Sequence, residues 1–171
     1  MLDIGVILIS LLIALALNNL KGKTSTLFRS IFFIPAVLSL VTVGLIWNEL
    51  FLRAFPPIGE ALGIEWLSKS ILGSPATAIF GILIVNLWQG CATPTVLLLA
   101  GLQSVPSDLY EAATIDGANA WQKFKNITVP FLIPIITMLV ITTTKGGLTI
   151  FDYIQAMTAG GPAQSTEPLA F

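Results

Sequence analysis

Four stretches of this chain, Ile4 to Leu20, Ser30 to Asn48, Ser70 to Ser107 and Asn126 to Thr144, contain no Asp, Glu, Lys or Arg. A run of about eighteen apolar residues in a helix rising 1.5 Å per residue is long enough to cross roughly 30 Å of hydrocarbon. Inside lipid no water is present to satisfy backbone N–H and C=O groups, so each run must close its hydrogen bonds within itself, as an α-helix does. The composition agrees: 55% of the residues are hydrophobic and 10% charged, and the mean hydropathy is +0.89. The expected fold is therefore all-α, a polytopic transmembrane helix bundle with about four spans. No repeat of 20 to 50 residues and no low-complexity linker divides it, so residues 1–171 are expected to form a single transmembrane domain.

The first span is placed at Leu2 to Leu17. It covers about 24 Å, short of a comfortable crossing, and the chain looks clipped at its start. No basic segment precedes it and no small-x-small site closes it, which argues against a signal peptide. The second span is expected over about Ser30 to Leu50, with Pro35 near its entry and Trp47 at headgroup level near its exit. The next loop carries Arg53, Pro56, Pro57, Glu60, Glu65, Trp66 and Lys69, and is expected to hold a short surface helix bracketed by proline and glycine. The third span is expected over about Pro75 to Gln103, kinked or locally unwound by Pro94, and the fourth over about Val129 to Met157. At the far end Gly160-Gly161-Pro162 makes a turn, and Leu169-Ala170-Phe171 starts an apolar segment that does not continue. Lys21, Lys23, Arg29, Lys123 and Lys125 fall on one side of this arrangement, and Arg53 and Lys69 on the other. The positive-inside rule then sets the segment around Glu111 in the cytoplasm.

Several function classes drop out early. A net charge of −1 without a basic block gives nucleic acid no phosphate-tracking surface. One cysteine and no histidine leave no disulfide framework, no haem ligand and no cysteine- or histidine-based metal site. Cys91 reads as a small buried thiol. Neither Gly63 to Ser70 nor Gly22-Lys23-Thr24 has the glycine spacing of a phosphate loop, so this chain has no nucleotide site.

The segment over about 104–128 is the polar interruption. Pro106 suits a first helical turn with Ser104 or Ser107 as cap, and Asp108 and Glu111 put negative charge near a helix N-terminus. A helix over Ser107 to Ile115 should end at Asp116-Gly117, where glycine can take the left-handed conformation. Beyond it Trp121, Phe124 and Ile127 recur at helical spacing and give an apolar face flanked by Lys123 and Asn126. Ala112, Ala113 and Ala118 allow a partner's backbone close. The pattern describes a helix–turn–helix knob continuous with span four through Pro130 and Pro134. It fits docking to a soluble partner and lying on the bilayer surface equally well.

The run Glu111-Ala112-Ala113-x-x-Asp116-Gly117-Ala118, then Trp121-Gln122, Phe124, Ile127, Pro130 and Pro134, resembles the cytoplasmic loop signature of permease subunits of bacterial ATP-binding-cassette importers, in the sugar-importing, maltose-type branch. Phe28-Arg29-x-Ile31-Phe32-Phe33-x-Pro35, Val43-Gly44-Leu45-Ile46-Trp47, Leu99-Ala100-Gly101-Leu102-Gln103-x-Val105-Pro106 and Phe151-Asp152 with Met157-Thr158-x-Gly160-Gly161-Pro162 fit the same branch, from about Gly5 to Phe171. The resemblance implies a bundle of about six helices, with one helix missing before residue 1 and one after residue 171. It implies a second permease subunit, a cytoplasmic ATPase carrying ATP and Mg, and an extracytoplasmic solute-binding protein as partners in a bacterial inner membrane. It also assigns Glu111, Ala112, Ala113, Asp116, Gly117, Ala118, Trp121 and Phe124 to coupling with the ATPase. The sequence departs from the family pattern at Cys91-Ala92-Thr93-Pro94 and at Lys145.

Polar residues within the spans are the candidates for a substrate pathway. Lys145 and Asp152 lie at i and i+7 in span four, on nearly one face. A charge near mid-membrane costs roughly 2.5–3.5 kcal/mol, so each should face a polar cavity or hold an ion pair or interface. Asn86, Trp88, Gln89 and Thr93 in span three offer ring stacking and amide bonds of the kind sugars use. The expected function is the membrane-spanning subunit of an ATP-driven carbohydrate importer, with no covalent chemistry and no cofactor of its own. The alternatives are a non-transporting scaffold that recruits a cytoplasmic protein and an ion-coupled secondary transporter.

Overall fold

The computed structural model describes residues 2–20, 23–64, 68, 70–148 and 157. Among these residues every regular element is helical. In chain order they are α1 (Leu2–Asn18), α2 (Lys23–Val37), α3 (Leu40–Glu49), a π-turn (Leu50–Ala54), α4 (Phe55–Leu62), a 3₁₀ turn (Ile71–Gly73), α5 (Pro75–Gly90), α6 (Ala92–Ser104), α7 (Ser107–Ile115), α8 (Ala120–Lys123), a second π-turn (Phe124–Thr128) and α9 (Val129–Leu148). Thr77–Ser104 and Ala120–Gly146 are each long and apolar enough to cross a membrane, Ser25–Val37 with Leu40–Leu62 makes a third candidate as one broken span, and Ile4–Asn18 is a shorter apolar helix.

The chain divides into two compact units. The first comprises residues 1–36 and 90–144. Its core sets Ile7, Ala14 and Leu17 of α1 and Leu132 and Leu139 of α9 around Leu98, Leu99 and Leu102 of α6. A small residue permits the tightest approach: a Cβ on Gly101 would collide with Ile135 Cδ1 and come within 2.9 Å of Leu132 Cδ2. Helices in lipid gain nothing from the hydrophobic effect between them, so close packing at such positions supplies the association.

The second unit comprises residues 37–89 and 145–171. Val43, Phe51, Leu72, Ile82, Val85 and Met157 form its buried cluster. Trp47 lies against Phe51 at 5.4 Å between ring centroids and edge-on to Trp88 at 5.6 Å, and Phe55 packs on both Trp47 and Phe51.

Prolines decide where the helices depart from regularity. A proline cannot donate to the carbonyl four residues back, and its ring crowds that carbonyl. Both π-turns end just before one: Phe55 N donates to Leu50 O directly ahead of Pro56 and Pro57, and Val129 N donates to Phe124 O directly ahead of Pro130. The wider i→i−5 turn carries the helix past the obstruction without breaking it. At Pro94 the departure is slight: the helix assignment lapses for one residue, Cys91, which stays right-handed helical at φ −74° and ψ −17°, and Thr77–Ser104 runs on as one candidate span. There the Cys91 carbonyl accepts from Thr95 Oγ1 at 2.7 Å and from Ser10 Oγ of α1 at 3.3 Å.

One span departs from expectation. The second apolar run is interrupted at Leu38-Ser39 rather than continuous from Ser30 to Leu50, with Ser39 extended at φ −62° and ψ 134°. Pro35 lies within the last turn of α2, and the carbonyl of Leu38 is satisfied from elsewhere, by Gln89 Nε2 at 2.9 Å. The break survives because a side chain replaces the lost backbone bond. Arg53, expected in a loop, is held in the helical π-turn, paired with Glu49 at 3.0 Å one turn earlier.

Gly101→Val should destabilise the first unit by about 1–3 kcal/mol through overpacking against Ile135 and Leu132, and Gly101→Ala by less. Thermal unfolding in detergent of the two variants beside the parent protein checks the order.

Candidate functional site

The segment between α6 and α9 is built as an elbow. Val105 and Pro106 are extended, at ψ 122° and 133°, so α6 does not run on into α7. α7 matches the expected helix residue for residue, Ser107–Ile115. Its start differs from the expectation: Pro106 is the flanking residue rather than the first helical one, and neither serine caps it. Ser104 Oγ donates to Gly101 O at 2.8 Å, and Ser107 Oγ donates to Asp108 Oδ1 at 3.3 Å.

The end of α7 is fixed by backbone geometry. Gly117 has φ 77°, Ala118 N donates to Ala113 O at 2.9 Å and Gly117 N to Thr114 O at 3.1 Å. These two bonds close a Schellman turn, which satisfies carbonyls that the helix end would leave bare. Nothing lies within 4 Å of where a Cβ on Gly117 would sit. The need for glycine there comes from the backbone conformation alone.

α8 starts with a capping box. Gln122 N donates to Asn119 Oδ1 at 2.9 Å, and Asn119 N donates to Gln122 Oε1 at 2.8 Å. The Asn-x-x-Gln spacing carries that signal in the sequence, a cue beyond the Asp116-Gly117 turn. From Ala120 the helix continues through the π-turn and α9 to Gly146 as one candidate span.

The two arms of the elbow are tied together. The hydroxyls of Tyr110 on α7 and Thr128 in the π-turn lie 2.8 Å apart, half-buried. Lys123 Nζ donates to Thr114 Oγ1 at 2.8 Å on the exposed side. Neither tie follows from helical periodicity, because the Tyr110–Thr128 partners are separated by eighteen residues and a turn.

The residues assigned to coupling fall on this elbow. Glu111, Ala112, Asp116 and Gly117 are exposed, and Ala113, Ala118 and Phe124 are half-buried. Trp121 is 68% exposed and stacks on Phe124 at 5.7 Å. Ile115 at the tip is 86% exposed. Apolar side chains so placed on a polar insert suit a contact with another protein or a surface.

Among the described residues the pathway candidates are carried by α5, α6 and α9. Asn86, Trp88 and Gln89 lie on α5. Asn86 is half-buried; Trp88 is 43% exposed and packs on Trp47; Gln89 is buried with its amide on the Leu38 carbonyl. Thr93 is exposed near the start of α6, and Lys145 is exposed in the last turn of α9. Asp152 lies outside the described residues.

The fold and the exposed elbow define an all-helical, multi-span membrane protein with a polar, exposed insert. Residues 6–167 match the family model described as the binding-protein-dependent transport system inner membrane component, and the chain belongs to that family. It is 48% identical over 169 residues to the multiple sugar-binding transport system permease protein MsmF of Streptococcus mutans, covering 98% of this chain and 58% of that protein. It is 37% identical over 165 residues to the trehalose/maltose transport system permease protein MalF of Thermococcus litoralis, covering 95% and 55%. With the lactose transport system permease protein LacF of Rhizobium radiobacter it shares 37% over 175 residues, covering 96% and 56%. The chain thus spans somewhat more than half the length of these relatives. The fold is that of a solved bacterial ABC transporter involved in the import of the acidic polysaccharide alginate, with a TM-score of 0.77 at 24% identity over 92% of this chain and 55% of that one.

Asn119→Ala should cost about 1 kcal/mol by removing the capping side chain. Faster amide hydrogen exchange confined to residues 118–124 is the expected signature.

Proposed function

We propose that this chain is the membrane-spanning subunit of an ATP-driven carbohydrate importer, working as a single transmembrane domain in a bacterial inner membrane. It pairs with a second permease, receives substrate from an extracytoplasmic binding protein, and seats its elbow on a cytoplasmic ATPase that holds ATP and Mg²⁺. The chain hydrolyses nothing itself. The observation that carries this proposal is the exposed elbow, with Gly117 in the left-handed conformation and Ile115 and Trp121 facing outward, in a family of binding-protein-dependent transport components. The names of the relatives, permease proteins of multiple sugar-binding, trehalose/maltose and lactose transport systems, support a carbohydrate substrate. A solved structural neighbour, again under 25% identical, is an alginate transporter in complex with a pentasaccharide-bound periplasmic protein, which supports a binding protein as partner.

In this proposal Glu111, Ala112, Ala113, Asp116, Gly117, Ala118, Trp121 and Phe124 form the coupling contact. Asn86, Trp88, Thr93, Lys145 and Asp152 contribute to the pathway, and Gln89 contributes through the break at Leu38 that it holds. Substrate and ATPase then bias one two-state element from opposite ends, which is what coupling requires.

The test is uptake of labelled sugar into vesicles holding the full-length gene product, its companion permease, the ATPase and the binding protein. ATP-dependent uptake is expected. Uptake without ATP would favour an ion-coupled carrier, and loss of both uptake and ATPase binding would favour a scaffold. Gly117→Val, which forces a β-branched residue into a conformation costing about 1–2 kcal/mol, should uncouple uptake from ATP hydrolysis while membrane insertion, read by fractionation, stays normal.

A further inference from the structure

We infer that the Tyr110–Thr128 hydrogen bond is the strut that makes the elbow and the α9 span move as one body, with Tyr110 as a positioning residue for coupling. This inference rests on the proposed function, since it concerns how force applied at the elbow reaches the membrane.

The two covalent routes out of the elbow are both compliant. On one side α7 joins α6 through Val105 and Pro106, which are extended and carry no helical continuity. On the other, α8 joins α9 through the π-turn Phe124–Thr128, a departure from regular α-helix. A push on α7 would be absorbed at these sections unless something bridges them. The Tyr110 hydroxyl bridges the second of them, reaching past α8 from the middle of α7 to the last residue of the π-turn, where α9 begins, and leaves the Val105-Pro106 link as the hinge to α6.

Five other helical threonines show the pattern from which this contact departs. A helical threonine ordinarily bonds its hydroxyl to a carbonyl of its own preceding turn. Thr95, Thr114, Thr137, Thr142 and Thr143 all do so, to Cys91, Tyr110, Ile133, Met138 and Leu139 respectively. Thr128 instead meets Tyr110, eighteen residues away, and it is only 5% exposed. Water competes poorly for a bond so placed, whereas the Lys123–Thr114 tie is exposed and therefore weaker. The partly buried bond is the one able to carry load.

The test uses the reconstituted full-length transporter and two readings: sugar moved per ATP hydrolysed, and the amount of ATPase that co-purifies. Tyr110→Phe deletes one hydroxyl and keeps the ring; Thr128→Val deletes the other at equal volume; Thr128→Ser keeps it. Tyr110→Phe and Thr128→Val should each lower sugar moved per ATP by about 2- to 10-fold, the range that one hydrogen bond supports, with ATPase co-purification unchanged. Thr128→Ser should stay within about 2-fold of the parent, and the double variant should be no worse than either single one. Parental sugar-per-ATP ratios in Tyr110→Phe would overturn the strut, and so would a loss of ATPase co-purification matching the loss of transport. Failure of the parent protein itself to retain the ATPase would overturn instead the function on which the strut rests.

Discussion

An unmet backbone carbonyl in hydrocarbon is the cost around which this structure is organised. The chain places prolines inside or beside its apolar helices, at Pro35, Pro56, Pro57, Pro94, Pro130 and Pro134, and each withdraws a donor that lipid cannot replace. The responses differ by site. Beside Pro94 the Cys91 carbonyl takes side-chain bonds from Ser10 and Thr95 on top of its backbone bond from Thr95 N, and at the break after α2 the Leu38 carbonyl takes one from Gln89. Ahead of Pro56 and Pro130 the helix widens into a π-turn. Polar residues in the spans that suggest a substrate path at first sight are thus partly engaged in holding irregular backbone.

The same constraint shapes the elbow. An insert at the membrane surface can leave regular structure freely, because water satisfies its backbone, yet this one is closed tightly by a Schellman turn at Gly117 and a capping box at Asn119. A stiff turn with Ile115 and Trp121 outward is suited to transmitting displacement, whereas a flexible loop would dissipate it. The extended link before α7 and the π-turn after α8 then become the sections where stiffness is decided.

Much of this was legible in the sequence, because the signals are local. Charge-free runs gave the helical spans, and the span of α7 followed from Pro106 and Asp116-Gly117, whereas the unwinding expected near Pro94 amounts to a one-residue lapse at Cys91. The unread features depend on partners far along the chain. The break at Leu38-Ser39 needs Gln89, fifty-one residues on, and the close approach at Gly101 needs Ile135 and Leu132 of α9. Tyr110 carried no pattern of its own, since its role depends on where the turn delivers Thr128. The residues of the proposed coupling face are adjacent in sequence and so fall together on the elbow, while the pathway candidates depend on how separate helices meet, which spacing alone does not encode.

The central claim is that the elbow is the face presented to a soluble ATPase, and site-directed cross-linking tests it most directly. With the buried Cys91 replaced by alanine, a single cysteine is placed at position 115 or 121 of the full-length protein in the assembled complex, and a short bifunctional reagent is applied. The account predicts an adduct with the ATPase subunit at both positions and none from a cysteine at the buried position 98. An assembled, importing complex in which neither elbow position reaches the ATPase would contradict it.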